Sequence, residues 1–203
     1  ATSKAICFCK GTVIRTADGS ETPIEHLLIG DIVATSSGPL PIKWIARQTI
    51  RKLGCSSEIF ARELPVTICA GSISPGVPTQ DLKLSEGHGV YVDGRIVNAS
   101  YLVNDISIAK DTLDSHPILV DYFHLEFADE VLVEANGLLA CSYWNESNRR
   151  SFDNYAEYIR LYGDPDKQSG CRINSGPRNR FSLSGHKARV RRTWSASTAD
   201  VRS

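Results

Sequence analysis

Apolar positions along this 203-residue chain come in short runs, each closed by Gly, Pro, Asp or Ser. Thr12–Thr16 ends at Ala-Asp-Gly-Ser, Ile32–Ala34 at Ser-Ser-Gly-Pro, and Ile42–Ala46 follows that break. Pro65–Cys69, Gly89–Asp93 before Gly94, Ile118–Phe127 and Glu130–Glu134 continue the series. Runs of this length at this spacing, rich in β-branched residues and bounded by turn formers, predict an all-β domain. A helical reading fits only Ile24–Leu28, Ala99–Val103 and Asn154–Leu161. In the last of these Tyr155, Tyr158, Ile159 and Tyr162 share one helical face behind Ser151 as a cap, and such a stripe reads as packing.

The runs also repeat. GTVIRTADGSETPIEHLLIGDIVA, residues 11–34, lies over HGVYVDGRIVNASYLVNDISIA, residues 88–109. In each copy a strand meets an Asp-Gly turn (Asp18-Gly19, Asp93-Gly94), then a single turn ending in Leu, then Gly-Asp-Ile or Asn-Asp-Ile. Leu28, Asp31 and Ile32 match Leu102, Asp105 and Ile106 at constant offset. Two copies of one supersecondary unit predict a pseudo-two-fold arrangement. Asp31 and Asp105 are expected to cap their turns, and Asn136-Gly137 reads as a further hairpin turn.

Composition changes the picture at the end of the chain. Acids and bases balance at 23 each, yet residues 164–203 carry nine basic residues against Asp164, Asp166 and Asp200. That segment is rich in Gly, Ser, Arg and Pro, lacks periodicity, and is expected to be disordered. Lys187–Arg192 could touch nucleic acid or an anionic surface, but a solvated tail is the plainer reading. No stretch approaches the roughly 18 apolar residues of a membrane span, and ATSKAI is too short and polar for a signal peptide. The absent initiator Met suggests a processed product or a fragment. Cysteines 7, 9, 55, 69, 141 and 171 are too scattered for a disulfide framework. No C-x-x-C offers a zinc site, so neither metal nor cofactor is expected.

Cys7 and Cys9 stand immediately before Gly11-Thr12 and a strand. By residue type alone each is first a small buried hydrophobe. The pattern Cys7-Phe8-x-x-Gly11-Thr12, a strand, an Asp-Gly turn, Ile24-Glu25-x-Leu27 and Gly30-Asp31-x-Val33 resembles the opening block of Hint domains, the fold shared by inteins and hedgehog autoprocessing domains. Leu84-Ser85-Glu86-Gly87-His88 is similar to the family's Thr-x-x-His block, with Ser for Thr. Tyr122-Phe123-His124-Leu125-Glu126 and Val131 to Ala140 echo the closing block. Cys141-Ser142-Tyr143 through Asn148-Arg149-Arg150-x-Phe152 looks like the bacterial hedgehog/intein-like branch.

The resemblance implies a curved, pseudo-symmetric β fold over residues 7–152, after a flanking segment 1–6 and before a helical extension 153–163 and the tail. It implies that Cys7 attacks the carbonyl of Ile6, that His88 holds and protonates the amide nitrogen, and that Ser85 donates a hydroxyl to the same peptide. Cys9 falls where the family has no role and reads as packing. Departures narrow the outcome. Ala140-Cys141 stands where inteins end in His-Asn, so full splicing is not expected. Trp44 to Arg47 lacks the carboxylate that activates cholesterol in hedgehog domains, so no sterol is expected. Glu130 stands about where a second histidine is usual, and His124 is the candidate substitute, although a strand histidine between aromatic neighbours also reads as structural. The expected activity is thioester formation at Cys7, resolved by water or an outside amine or thiol, with the chain's own upstream segment as substrate. The alternative is an inactive Hint-fold scaffold or interaction module.

Overall fold

The computed structural model describes residues 6–115, 118–143 and 148–164; the tail expected to be disordered lies outside them apart from Asp164. Their strands are β1 (Phe8–Cys9), β2 (Val13–Arg15), β3 (Glu21–Pro23), β4 (Ile32–Thr35), β5 (Gly38–Pro41), β6 (Trp44–Arg51) and β7 (Val66–Ile68). There follow β8 (Leu82–Leu84), β9 (Gly89–Val92), β10 (Arg95–Asn98), β11 (Ile108–Lys110), β12 (Leu119–Glu126), β13 (Leu132–Ala135) and β14 (Leu138–Cys141). One sheet runs β11-β7-β8-β1-β12-β6; the other runs β10-β9-β14-β13-β2-β3, with β4 and β5 joined through β13. The pairs within both sheets are antiparallel.

The two repeats take the same element order. Hairpin β2–β3 leads to a 3-10 turn at Ile24–His26 and then β4, as hairpin β9–β10 leads to a 3-10 turn at Ala99–Leu102 and then β11. Only the destination differs, since β11 joins the first sheet through β7. The turns are capped differently. Asp31 accepts from the Leu28 N–H at 2.8 Å, as expected of it. In the second copy Asn104 Oδ1 accepts the N–H groups of Ile106, Ser107 and Ile108, and Asp105 instead adopts φ of 58°. Asp93-Gly94 and Asn136-Gly137 both turn with positive φ at both residues, the backbone that a two-residue hairpin requires.

Strand β12 shows why its apolar residues do not alternate strictly with polar ones. Its side chains alternate between two buried faces rather than one buried and one wet. Phe123 and Leu125 join a core with Phe8, Leu84, Val90 and Val133. Val120 and Tyr122 face a second cluster holding Cys7, Cys9, Trp44, Phe60 and Tyr143. Helix α1 (Ser57–Arg62), with Phe60 fully buried, covers part of that cluster and was not legible in the sequence pattern. Its Ser56 caps Ile59 N–H. Helix α2 (Tyr155–Tyr162) covers another part, with Tyr158 edge-on to Trp44 at 5.0 Å. Ser151 does not cap α2: its hydroxyl donates to Asn148 O, and the residue before the helix is Asn154.

A buried charge locks the closing segment to this face. Glu126 takes two bonds from Arg149, each 2.9 Å, and one from Lys43 at 2.7 Å. The side chains of Glu126 and Arg149 are 3% and 8% exposed. Such a pair adds little net stability when whole, but removing one partner leaves a desolvated charge. Arg149→Met leaves Glu126 with Lys43 alone of these two cations, and is expected to lower the urea-unfolding free energy by about 2 kcal/mol. Glu126→Gln with Arg149→Met together should recover part of that loss.

Candidate functional site

The site is assembled on the strand triplet β8-β1-β12. Antiparallel register pairs Phe8 with Leu84 on one side and with Phe123 on the other. One step back along β1, Cys7 stands between Ser85 and His124, and directly opposed residues have their Cβ atoms about 5 Å apart on one face. The Ser85–Cys7 half of that register is cemented by two bonds. Ser85 N–H donates to Cys7 O at 2.9 Å, and Cys7 N–H donates to Ser85 Oγ at 2.8 Å. A turn closed by His88 N–H on Ser85 O, 2.9 Å, then returns the chain so that His88 lies under β1. Ile6 rests over the corner of that turn, where its Cγ1 would be 4.0 Å from a Cβ on Gly87.

The nitrogen of the Ile6–Cys7 peptide is thus held by Ser85, with the hydroxyl accepting. The Ser85 hydroxyl, expected as a donor to this peptide, here accepts its N–H, and His88 makes no hydrogen bond to that nitrogen. His88 is fully buried, with its ring 4.2 Å from that of Phe8. Its Nε2 is 3.0 Å from Cys141 O. A carbonyl can only accept, so Nε2 carries the proton and Nδ1 holds the lone pair. Nδ1 has no hydrogen-bond partner among the described residues. Burial pulls His88 down to about 4, with the backbone of Cys7 and the Cys141 carbonyl opposing.

His124 lies at 5.1 Å from His88, ring edge to ring face, and 5.4 Å from Tyr143. Both its nitrogens lack partners among the described residues. Burial, and then the charge of His88, hold it well below the ordinary histidine range. Cys7 is fully enclosed, and burial pushes its thiol up. The nucleophile candidate is therefore a neutral thiol beside two neutral imidazoles. Cys9 shares the face of Cys7, two residues along one strand, and is buried in the same cluster. Glu130 is exposed and lies by the thiol of Cys141, which burial and then the Glu130 charge push up to about 11. It does not figure among the groups that shift His88, His124 or Cys7.

Sequence reasoning missed the parts of this site that carry no polar signature. Phe8 floors His88, Tyr143 walls His124, and a main-chain carbonyl sets the histidine tautomer. Of these only Phe8 had a signal, its place beside Cys7.

Buried neutral imidazoles make stability depend on pH. The unfolded His88 takes a proton near 6.5, whereas the folded one resists until about 4. Between these values the unfolded chain binds the extra proton, so stability falls as pH falls, by about 3 kcal/mol from this residue. Urea unfolding at about pH 7.5 and about pH 4.5 should show a smaller acid loss in His88→Gln than in the wild type, by about that amount.

The chain is thus an antiparallel two-sheet fold in which Cys7, Ser85 and His88 come together beside the Ile6–Cys7 peptide bond. Residues 6–147 match the sequence profile of the Hint domain, and the chain belongs to that family. Solved structures with similar folds include the gp41-1 intein, at 13% identity and TM-score 0.46, covering 67% of this chain and 98% of that one. A DnaB intein from Synechocystis sp. PCC 6803 has 9% identity and TM-score 0.49, covering 69% and 100%. A bacterial intein-like domain from Clostridium thermocellum has 16% identity and TM-score 0.48, covering 68% and 98%. No curated protein matches the sequence significantly.

Proposed function

We propose that residues 7–152 act once, in cis, to convert the Ile6–Cys7 amide into a thioester and release the upstream segment, without splicing. The observation that carries this reading is the bond from Cys7 N–H to Ser85 Oγ, which fixes the leaving nitrogen beside a thiol and two neutral imidazoles. An amide departs only if its nitrogen is protonated, and a thiol attacks only as it loses its proton. One proton satisfies both needs. It leaves Cys7 Sγ as sulfur bonds to the Ile6 carbonyl carbon, is held at Nδ1 of His88, and passes to the Cys7 nitrogen as the C–N bond breaks. The Nε2 bond to the Cys141 carbonyl supports this, because it leaves Nδ1 as the basic atom and steadies the transient imidazolium. His124 is a second imidazole able to hold that proton, and its place against His88 makes it auxiliary. The thioester is then resolved by water or by an external thiol or amine.

The departures at Ala140-Cys141 and Trp44 to Arg47 favour this limited outcome, and with the closing segment they favour the bacterial hedgehog/intein-like branch. Intact mass of a fusion with a long segment before residue 1, incubated with and without thiol, tests it. A cut between Ile6 and Cys7, accelerated by thiol through exchange, is the expected result. A folded fusion that stays whole supports the second reading, an inactive scaffold, which the deep burial of the Cys7 thiol favours.

A further inference from the structure

Beside Ser85, on the same sheet face as Cys7, a shallow cleft opens to solvent between the sheet and the end of α1. Gln48 and Ile50 of β6 and Tyr122 of β12 form its floor, and Glu63 and Leu64 form its far wall. Register places these residues relative to the nucleophile. Tyr122 opposes Cys9 on β1 and Gln48 on β6, so Tyr122 lies diagonal to Cys7 on its own face. An object in the cleft therefore sits against Ser85, the residue that holds the reacting amide.

The chemistry of the walls selects the object. Arg62 and Glu86 also line the cleft, but Arg62 is paired with Glu58 and Glu86 with Lys110. Glu63 is half-buried and forms no ion pair among the described residues. Tyr122 spends its hydroxyl proton on the Glu63 carbonyl at 2.6 Å, and Gln48 spends an amide proton on Ser151 O at 3.2 Å. What remains toward the cleft is the Glu63 carboxylate, whose charge reaches the Tyr122 hydroxyl, with the unspent amide oxygen of Gln48, next to the apolar sides of Ile50 and Leu64. Acceptors around a single negative charge suit an ammonium head, and the apolar sides suit a short methylene stem.

We infer that this cleft is the acyl-acceptor site, taking a primary alkylamine such as a lysine side chain, with Glu63 as the residue that binds its nitrogen. The inference rests on thioester formation at Cys7. The amine is gathered as its ammonium, loses a proton to solvent, and attacks the Ile6 carbonyl carbon as RNH2. The C–N bond forms, the C–S bond breaks, the amine nitrogen gives its second proton to solvent, and the departing Cys7 sulfur takes up one in exchange. From the ammonium, the products are an N-alkyl amide on Ile6, the free thiol and one proton released to solvent, with no change in oxidation state.

The test uses a fusion of the full chain with an upstream segment, in wild-type and Glu63→Gln forms, given n-butylamine or an anionic thiol. The wild type is expected to yield the butylamide by mass, with a rate that saturates in amine. Glu63→Gln should lower the amine-dependent kcat/KM at least about tenfold, the usual scale for losing a charged contact, while leaving release by the anionic thiol unchanged. Glu63→Asp should restore part of the difference. Equal amine rates in wild type and Glu63→Gln would overturn the site while thioester formation stands. If neither amine nor thiol releases anything, the processing reading fails instead. NMR titration of Cys7→Ala with n-butylamine then decides the site alone: saturable shifts at Gln48 and Tyr122 that vanish with Glu63→Gln support it, and their absence removes it.

Discussion

A chain carrying Cys7→Ala is expected to release none of its upstream segment, with or without thiol. The Ile6 carbonyl has no second nucleophile on its own residue pair, and Cys9, two residues along the strand, packs in the core at 5% exposure. A thioester route stands or falls with one sulfur, because sulfur alone gives the intermediate that an added thiol can exchange. Intact mass after prolonged incubation checks this, and circular dichroism verifies that the variant is folded. The substitution removes a single buried atom group, so folding should survive it at a cost of about 1–2 kcal/mol. Thiol-accelerated release from the alanine chain would show that another group does the chemistry.

His88→Ala is expected to slow release by roughly 10²–10⁴, the usual worth of a positioned acid–base group. The ring is both proton carrier and packing, since it packs at a tilt against Phe8 and abuts His124. A loss of packing alone would appear in stability, whereas a loss of proton transfer appears in rate with the fold intact. His88→Gln separates the two. Glutamine can keep a donor toward Cys141 O but carries no basic nitrogen, so it should cut slowly while unfolding near the wild-type urea midpoint at neutral pH. A His88→Gln chain that cuts at the wild-type rate would return His88 to a structural role and shift the burden to His124.

Much of the fold was legible because its cause is local. Short apolar runs between turn residues became strands at Val13–Arg15, Val66–Ile68, Gly89–Val92 and Leu119–Glu126. Positive φ at Gly19, Asp93 and Gly94 follows from turn residues that can be read directly. Helix α1 escaped because SEIFAR is six residues long and offers no full apolar period, only Phe60 to bury. Strand β8 escaped for a similar reason, with Lys83 between two buried leucines in a three-residue stretch. Ser85 and His88 were legible as a spaced pair beside a known block, yet their division of labour was not. Which of them takes the Cys7 N–H depends on a strand register and on a turn closing over three residues.

The residue types at the site, their order, and the all-β character of the chain were determined by sequence, since composition and periodicity act over a few residues. Tertiary structure decided the rest. Pairing of β1 with both β8 and β12 put Ser85, Cys7 and His124 in one row, although 78 residues separate the first two. The same pairing enclosed the thiol and both imidazoles, and burial is what keeps all three neutral. The carbonyl that chooses the His88 tautomer comes from β14, fifty-three residues further along. Charge state and proton position depend on what surrounds a group in space, and those neighbours are brought by distant strands.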